Sequence, residues 1–282
     1  MTKLPKPPKR FKFSDDIMFS LVMADKEICA EVITRIIGNE IGEIKHIITQ
    51  RTLVNKPKLK YTRFDVCVET TEGKLYDVEI QISDKHNLER RMRYYQSMLD
   101  ASTTRSGTEY ENLPDTYIIF ICDFDYFEEG EPLYFFENLC KNKDGLVFKD
   151  GTYKVVVNLC EYEKCENERL KLLLHYIKTN AANDDLTRRI DDMVNSNAYQ
   201  QNALEEFFHF SAIDQDRARE IRKDAFKAGE AKGIEKGIQK GIEKGAYQKA
   251  CETARNLLEM GLNVDKITLA TGLSEDEISR LQ

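Results

Sequence analysis

The chain has 282 residues, 41% of them hydrophobic and 32% charged, with a formal net charge of −7. That length allows one sizeable core and a small second module, and the absence of any run of about 18 apolar residues excludes a membrane-spanning helix. The negative balance excludes a protein coated in positive charge, so any nucleic-acid contact must come from local basic patches.

Residues 1–13 form a basic, Pro-rich leader without the apolar centre of a secretory signal. Ser14, Asp15 and Asp16 then precede an apolar-periodic run from Ile17 to Ile37, which Gly38 and Asn39 can stop. This predicts a first helix with its N-cap among those polar residues. Residues 41–53 alternate loosely around Ile44, Ile47 and Ile48 and predict a strand. The arms 63–69 and 75–82 alternate apolar and polar residues on either side of Thr70-Thr71-Glu72-Gly73, which predicts a hairpin and a meander of three strands. Residues 83–104 lack Gly and Pro and place Leu88, Met92, Tyr95, Met98 and Leu99 at helical spacing. Thr116 to Cys122 is almost wholly apolar, the pattern of a strand covered on both faces, and the helix before it predicts a crossover and a parallel pair. Residues 130–151 read as an aromatic loop and 153–159 as another strand. From Glu166 onward the pattern is helical, with stripes at Leu170, Leu173, Leu174 and Ile177 and at Leu186, Ile190 and Met193 that pack on the sheet.

The hairpin is the candidate active site. Phe64, Val66 and Val68 fall on one face of its first arm and Asp65, Cys67 and Glu69 on the other. On the second arm Tyr76, Val78, Ile80 and Ile82 oppose Leu75, Asp77, Glu79 and Gln81. Side chains two apart on a strand point the same way, so Glu79 and Gln81 project together and a partner strand brings Asp65 beside them. Two carboxylates and an amide oxygen on a sheet surface suit a hard divalent cation such as Mg²⁺. Basic residues flank the hairpin, among them Lys56, Lys58, Lys60 and Arg63 before it and Lys85, Arg90, Arg91 and Arg93 after it. Lys60, Arg63, Arg90, Arg91 and Arg93 are the candidate DNA contacts, with solvated loop and helix faces as the plainer reading. Seven cysteines without CxxC pairs and four dispersed histidines leave no expectation of zinc or a disulfide framework, and fit a reducing cytoplasm.

From Asp216 the chain changes character, and Gly229, Gly233, Gly237, Gly241 and Gly245 recur every four residues. Each glycine inside a helix costs about 1 kcal/mol relative to Ala, so five cost roughly 5 kcal/mol. A helix that packs against a partner through this stripe, with Ile234, Ile238 and Ile242 beside it, offsets that cost. Lys232, Lys236, Lys240 and Lys244 form a like-charge row that must face solvent or acids. The segment therefore predicts a homo-oligomer through residues 229–258, most simply a dimer, with a weakly helical linker as the alternative. Residues 264–281 read helix, turn, helix, with Gly272 closing the first and Ser274 and Glu277 forming a capping box for the second. Glu275, Asp276 and Glu277 crowd the start of that second helix, which favours a small packing cap over a DNA reader.

The spacing of Asp65, Glu79 and Gln81 resembles the PD-(D/E)XK signature with Gln in the Lys position. With the Asp-Asp-Ile-Met-Phe start at Asp15, the Val-Glu-Ile-Gln core, the stretch from Asn87 to Ser97 and that from Tyr117 to Asp125, residues 12–180 resemble the PD-(D/E)XK nuclease family transposases, the Rpn-like recombination-promoting nucleases. The resemblance implies an α/β fold of αβββαβ order with a helical C-terminal extension, and Mg²⁺-dependent hydrolysis of DNA phosphodiesters with low sequence preference. It implies Asp65 and Glu79 as metal carboxylates, Gln81 as the third catalytic position and Asp16 as an auxiliary acid. The expected organisation is a leader at 1–13, a nuclease-like domain at 14–215, the oligomerisation segment at 216–260 and the cap at 261–282. Two other readings share this fold: a degenerate nuclease that binds DNA or protein without cutting, and an oligomeric adaptor working through its tail.

Overall fold

In the computed structural model, which describes residues 5–53, 62–104, 107 and 109–281, the β-branched and aromatic runs assemble one mixed sheet of six strands. They are β1 (Ile44–Leu53), β2 (Thr62–Thr70), β3 (Leu75–Gln81), β4 (Thr116–Cys122), β5 (Leu133–Phe136) and β6 (Thr152–Asn158), ordered β1-β2-β3-β4-β6-β5. The first three form the antiparallel meander, and β4 is parallel to both β3 and β6. The short edge strand β5 lies inside the segment read as a loop; four residues are too few to show a period. In-register tyrosines 76, 117 and 153 stack across β3, β4 and β6 at centroid spacings of 4.8 and 4.5 Å.

The helix expected over residues 17–37 is two helices, α1 (Asp16–Val22) and α2 (Lys26–Ile37). Asp25 causes the break: its backbone is extended and its carboxylate accepts the Ile28 N–H at 3.0 Å, which starts a new helix. Asp15 stands at the α1 N-cap position without a side-chain cap, its carboxylate accepting the Lys12 N–H instead. Helix α3 (Leu88–Thr103) begins with its apolar stripe, five residues after the start of the Gly- and Pro-free stretch at 83, with Asn87 at the N-cap position. It covers one face of the sheet, against Phe64, Cys67, Ile118, Phe120 and Val156. Helices α1, α2, α4 (Glu168–Thr179) and α5 (Asp185–Asn195) bury the other face against Val66, Val68, Val78, Ile119 and Val157.

Helix α6 (Asn197–Glu259) begins in this first unit, where Ala203 is buried and Tyr199, Leu204, Phe207 and Phe210 pack on the core. Residues 1–211 and 212–282 are separate compact units. In the second, the remainder of α6 is helical through all five glycines. Helices α7 (Val264–Thr271) and α8 (Glu275–Ser279) close on its end through Ala254, Ile267, Leu273 and Ile278. Gly272 ends α7 in a left-handed conformation, and Ser274 and Glu277 form the expected capping box. Among the described residues no helix is long and apolar enough to cross a membrane.

Arg35 ties the helical layer together. Its buried guanidinium donates to Glu31 at 2.9 Å, Asp184 at 2.6 Å and the Arg169 carbonyl at 2.9 Å. Removing one partner of such a pair costs about 3–5 kcal/mol when the rest stays buried. Arg35→Ala is therefore expected to lower the unfolding free energy measured in urea by an amount near the lower end of that range, since Glu31 and Asp184 keep some contact with water.

Candidate active site

The β2–β3 ladder runs from the Glu69–Leu75 pair to the Val66–Val78 pair and stops there. Past that point each strand's carboxylate takes a backbone donor from the other. The Asp65 N–H donates to Glu79 Oε1 at 2.8 Å, and the Ile80 N–H donates to Asp65 Oδ2 at 3.3 Å. Both acids are buried, so these bonds satisfy donors that would otherwise be orphaned. On the far side of β2, the β1 ladder pairs Thr49 with Val66 and the residues flanking the gap, but omits Gln50 and Asp65. Gln50 is left-handed at φ 51°, its amide donates to Ser20 Oγ at 2.6 Å, and that hydroxyl lies 3.2 Å from the Asp65 carbonyl. The strand faces are corrected at the same point. Val66 and Val68 enter the α1–α2 layer, whereas Phe64 turns to α3 and packs edge-on against Tyr95 at 5.0 Å.

The face bearing Asp77, Glu79 and Gln81, expected as a sheet surface at the edge of the following helix, lies under α3. Because α3 starts at Leu88, Arg91 falls in its first turn, above the end of β3. Its guanidinium donates to Glu79 Oε2 at 2.7 Å, Gln81 Oε1 at 2.7 Å and the Tyr95 hydroxyl at 2.8 Å. It also lies 4.9 Å from the ring centres of Tyr95 and of Phe120. The Gln81 amide is further held through its donation to the Ser83 carbonyl at 3.0 Å.

Three buried acids thus crowd one cation. Burial, then the neighbouring Glu79 and Asp16, push the Asp65 carboxyl well above the usual carboxylate range, against the Ile80 N–H and Arg63. Glu79 is pushed up by burial and by Asp77, against Arg91 and the Asp65 N–H. For Arg91, burial works against the charge, but Glu79 and Tyr95 more than offset it, and the guanidinium stays charged. Asp77 has neither carboxyl oxygen hydrogen-bonded and is wholly buried. Burial and then Asp65 push it well above the usual carboxylate range, against Arg91. The period-2 pattern placed Asp77 on this face, but nothing in the sequence marked that face as covered.

The other candidates are dispersed. Asp16, at the start of α1, pairs with Arg63 at 3.4 Å and accepts the Ile17 N–H. Arg63 also lies over the Phe210 ring at 4.8 Å. Arg90 and Arg93 face solvent on α3 while Arg91 alone of the three turns inward. Lys60, like Lys56 and Lys58, lies outside the described residues. Tyr95, read as a packing residue, does pack and also orients Arg91.

Residues 13–235 match the family described as PD-(D/E)XK nuclease family transposase. The chain belongs to that family. Residues 248–282 match the C-terminal HTH domain of the Rpn/YhgA-like nuclease family, which covers α7, α8 and the end of α6. No curated protein and no solved structure matches the chain. As a PD-(D/E)XK family member it carries a nuclease-type domain, and nucleases of this type generally use divalent metal ions. The oxygens of Asp65, Glu79 and Gln81 fit such a cation by donor chemistry. Among the described residues, however, no three His, Cys, Asp or Glu side chains are grouped as ligands.

A carboxyl whose pKa is raised by folding binds a proton more tightly in the folded state. Its stabilising contribution is full below the ordinary carboxylate value of about 4 and fades as pH rises toward the folded value. Asp77→Asn removes that dependence. The stability of the variant relative to wild type, measured by urea unfolding, is expected to be greater at pH 8 than at pH 5.

Proposed function

We propose that the chain is a metal-dependent DNA endonuclease with Mg²⁺ as its cation, acting in transposition or recombination in the cytoplasm. The observation that carries this reading is the reciprocal bracing of Asp65 and Glu79 at the point where β2 and β3 part. The register of the two strands sets these carboxylates opposite each other, and the exchanged bonds hold them there, with Gln81 and Arg91 beside them.

When bound, the cation supplies polarisation of the scissile phosphate and a more acidic water. Asp65 and Glu79 are the residues that would hold it. Gln81 orients a water through its amide and brings no charge. Arg91 supplies the positive charge that a lysine at position 81 would have carried, and Tyr95 fixes the direction of its guanidinium. Arg90 and Arg93, exposed on the same helix, are placed for phosphate contact, with Asp16 acting indirectly through Arg63. Such contacts read backbone charge and imply low sequence preference.

The HTH match supports a further DNA contact in the second unit. The acidic first turn of α8 points to other parts of that unit as the contact. Homo-oligomerisation through residues 229–258 is supported by Ile234, Ile238 and Ile242, which stand 59%, 58% and 63% exposed along one helix. No atom lies within 4 Å of where a Cβ would sit on any of the five glycines, which leaves that side open to a close-packed neighbour.

Alanine at position 65 or 79 would also remove a backbone acceptor, so the informative variants are Asp65→Asn and Glu79→Gln, which keep an oxygen there. In a plasmid-nicking assay with Mg²⁺, each is expected to lose at least about 100-fold, more than the roughly 10–100-fold typical of groups that merely support a metal ligand. Equal nicking by wild type and both variants ends the enzyme reading. DNA binding retained at low salt without any Mg²⁺-dependent cleavage selects the second reading, a non-catalytic DNA-binding module, which the uncharged Gln81 favours. For the tail, light scattering of the full chain is expected to give twice the monomer mass, and the monomer mass once Ile234, Ile238 and Ile242 are all serine.

A further inference from the structure

Both carboxylate oxygens of Glu79 are already engaged, one by the Asp65 N–H and the other by Arg91, and Arg91 also donates to the side-chain amide oxygen of Gln81. Of the oxygens that Asp65, Glu79 and Gln81 offer a divalent cation, Glu79 Oε2 and Gln81 Oε1 are thus held by the guanidinium. We infer that Arg91 is the resident cation of the metal-free site, and that a divalent ion enters by exchange with it. The inference rests on the metal-dependent reading above.

The pairing with Gln81 is specific to this arrangement. A guanidinium is a planar fork that can donate to two oxygens at once, and the amide oxygen of Gln81 is an acceptor placed for its second prong. A lysine at position 81 has no acceptor and would repel the guanidinium. The neutral residue on β3 and the arginine on α3 therefore act as one device: the glutamine gives up a charge and gains a latch. An ion coordinated by Glu79 Oε2 and Gln81 Oε1 removes both acceptors from the guanidinium and sets like charges side by side, so the two cations cannot share the site.

Arg91 has somewhere to go. Its contact with the Tyr95 hydroxyl and its position against the Tyr95 and Phe120 rings involve neither Glu79 nor Gln81. Its side chain is 27% exposed, so the released guanidinium meets water without crossing the core. Leaving the acids does not strand a charge in an apolar space, and the freed group stays beside the site with its donors unspent, where a phosphate can take them.

The test uses the full chain labelled with ¹⁵N-arginine, with the Arg91 signals assigned through their contacts to the Tyr95 ring. On titration with Mg²⁺, the Arg91 Nη signals are expected to move or broaden to saturation with the binding isotherm measured by calorimetry, while those of Arg35 stay put. In parallel, Arg91→Lys keeps the charge but cannot span both oxygens. It is expected to bind Mn²⁺ at least threefold more tightly than wild type, and Glu79→Gln to lose that binding. Unchanged Arg91 signals in Mg²⁺-saturated wild type, or Mn²⁺ affinity in Arg91→Lys equal to or below wild type, overturns the exchange while leaving the metal reading intact. If circular dichroism shows Arg91→Lys unfolded, the wild-type signals decide alone. Saturable Mn²⁺ binding absent from wild type and Arg91→Lys alike overturns both the exchange and the metal reading.

Discussion

One guanidinium against three buried carboxyl groups is the constraint on which the rest of this structure depends. Charges under a helix are costly unless paired and hydrogen-bonded, and Arg91 is the cation that meets Glu79 directly. The start of α3 at Leu88 puts Arg91 in its first turn, and the rings of Tyr95 and Phe120 hold the guanidinium from its flat sides. With that pair in place, Asp77 remains inside with its carboxyl oxygens unbonded, and Asp65 accepts the Ile80 N–H. The site is therefore held by local hydrogen bonds and one ion pair where β2 and β3 cease to pair, while β3 stays paired with β4 through Gln81.

Much of this could be read from residue patterns. Alternation in 63–69 and 75–82 located the hairpin, and the apolar run at 116–122 matches β4 at both ends. The grouping of Asp65, Glu79 and Gln81 followed from the period of two. What could not be read has a common cause, which is that tertiary contacts reset local patterns. Asp25 split a helix whose apolar period runs straight through it. The alternation breaks at Asp65, opposite the left-handed Gln50, and Phe64 lies in the opposite layer from Val66. A half-polar strand face looks solvent-exposed in sequence, and only α3 crossing above it turns Asp77 and Glu79 into buried groups. Arg91 was one of three neighbouring arginines, and a helical wheel does not say which will find two oxygens.

The second unit presents a different balance. Its glycines give up the helix-forming advantage of a side chain at five positions, about 5 kcal/mol against an all-alanine equivalent, yet the helix continues through them. The isoleucines beside them remain exposed, so this part of the chain keeps apolar area in reserve. At its end, α7 and α8 bury Ile267, Leu273 and Ile278 against Ala254, which gives the C-terminal helices a small core of their own.

The crossed bonds between Asp65 and Glu79 also bear on how such a chain can age. The same two side chains serve the chemistry proposed for the site and close the frayed end of the hairpin. A descendant that abandoned cutting altogether would still be selected to keep an acceptor at both positions, because losing either leaves a backbone N–H without a partner inside the protein. Drift in such a lineage would therefore begin in residues that carry no such double duty, the exposed Arg90 and Arg93 before the acids or Arg91.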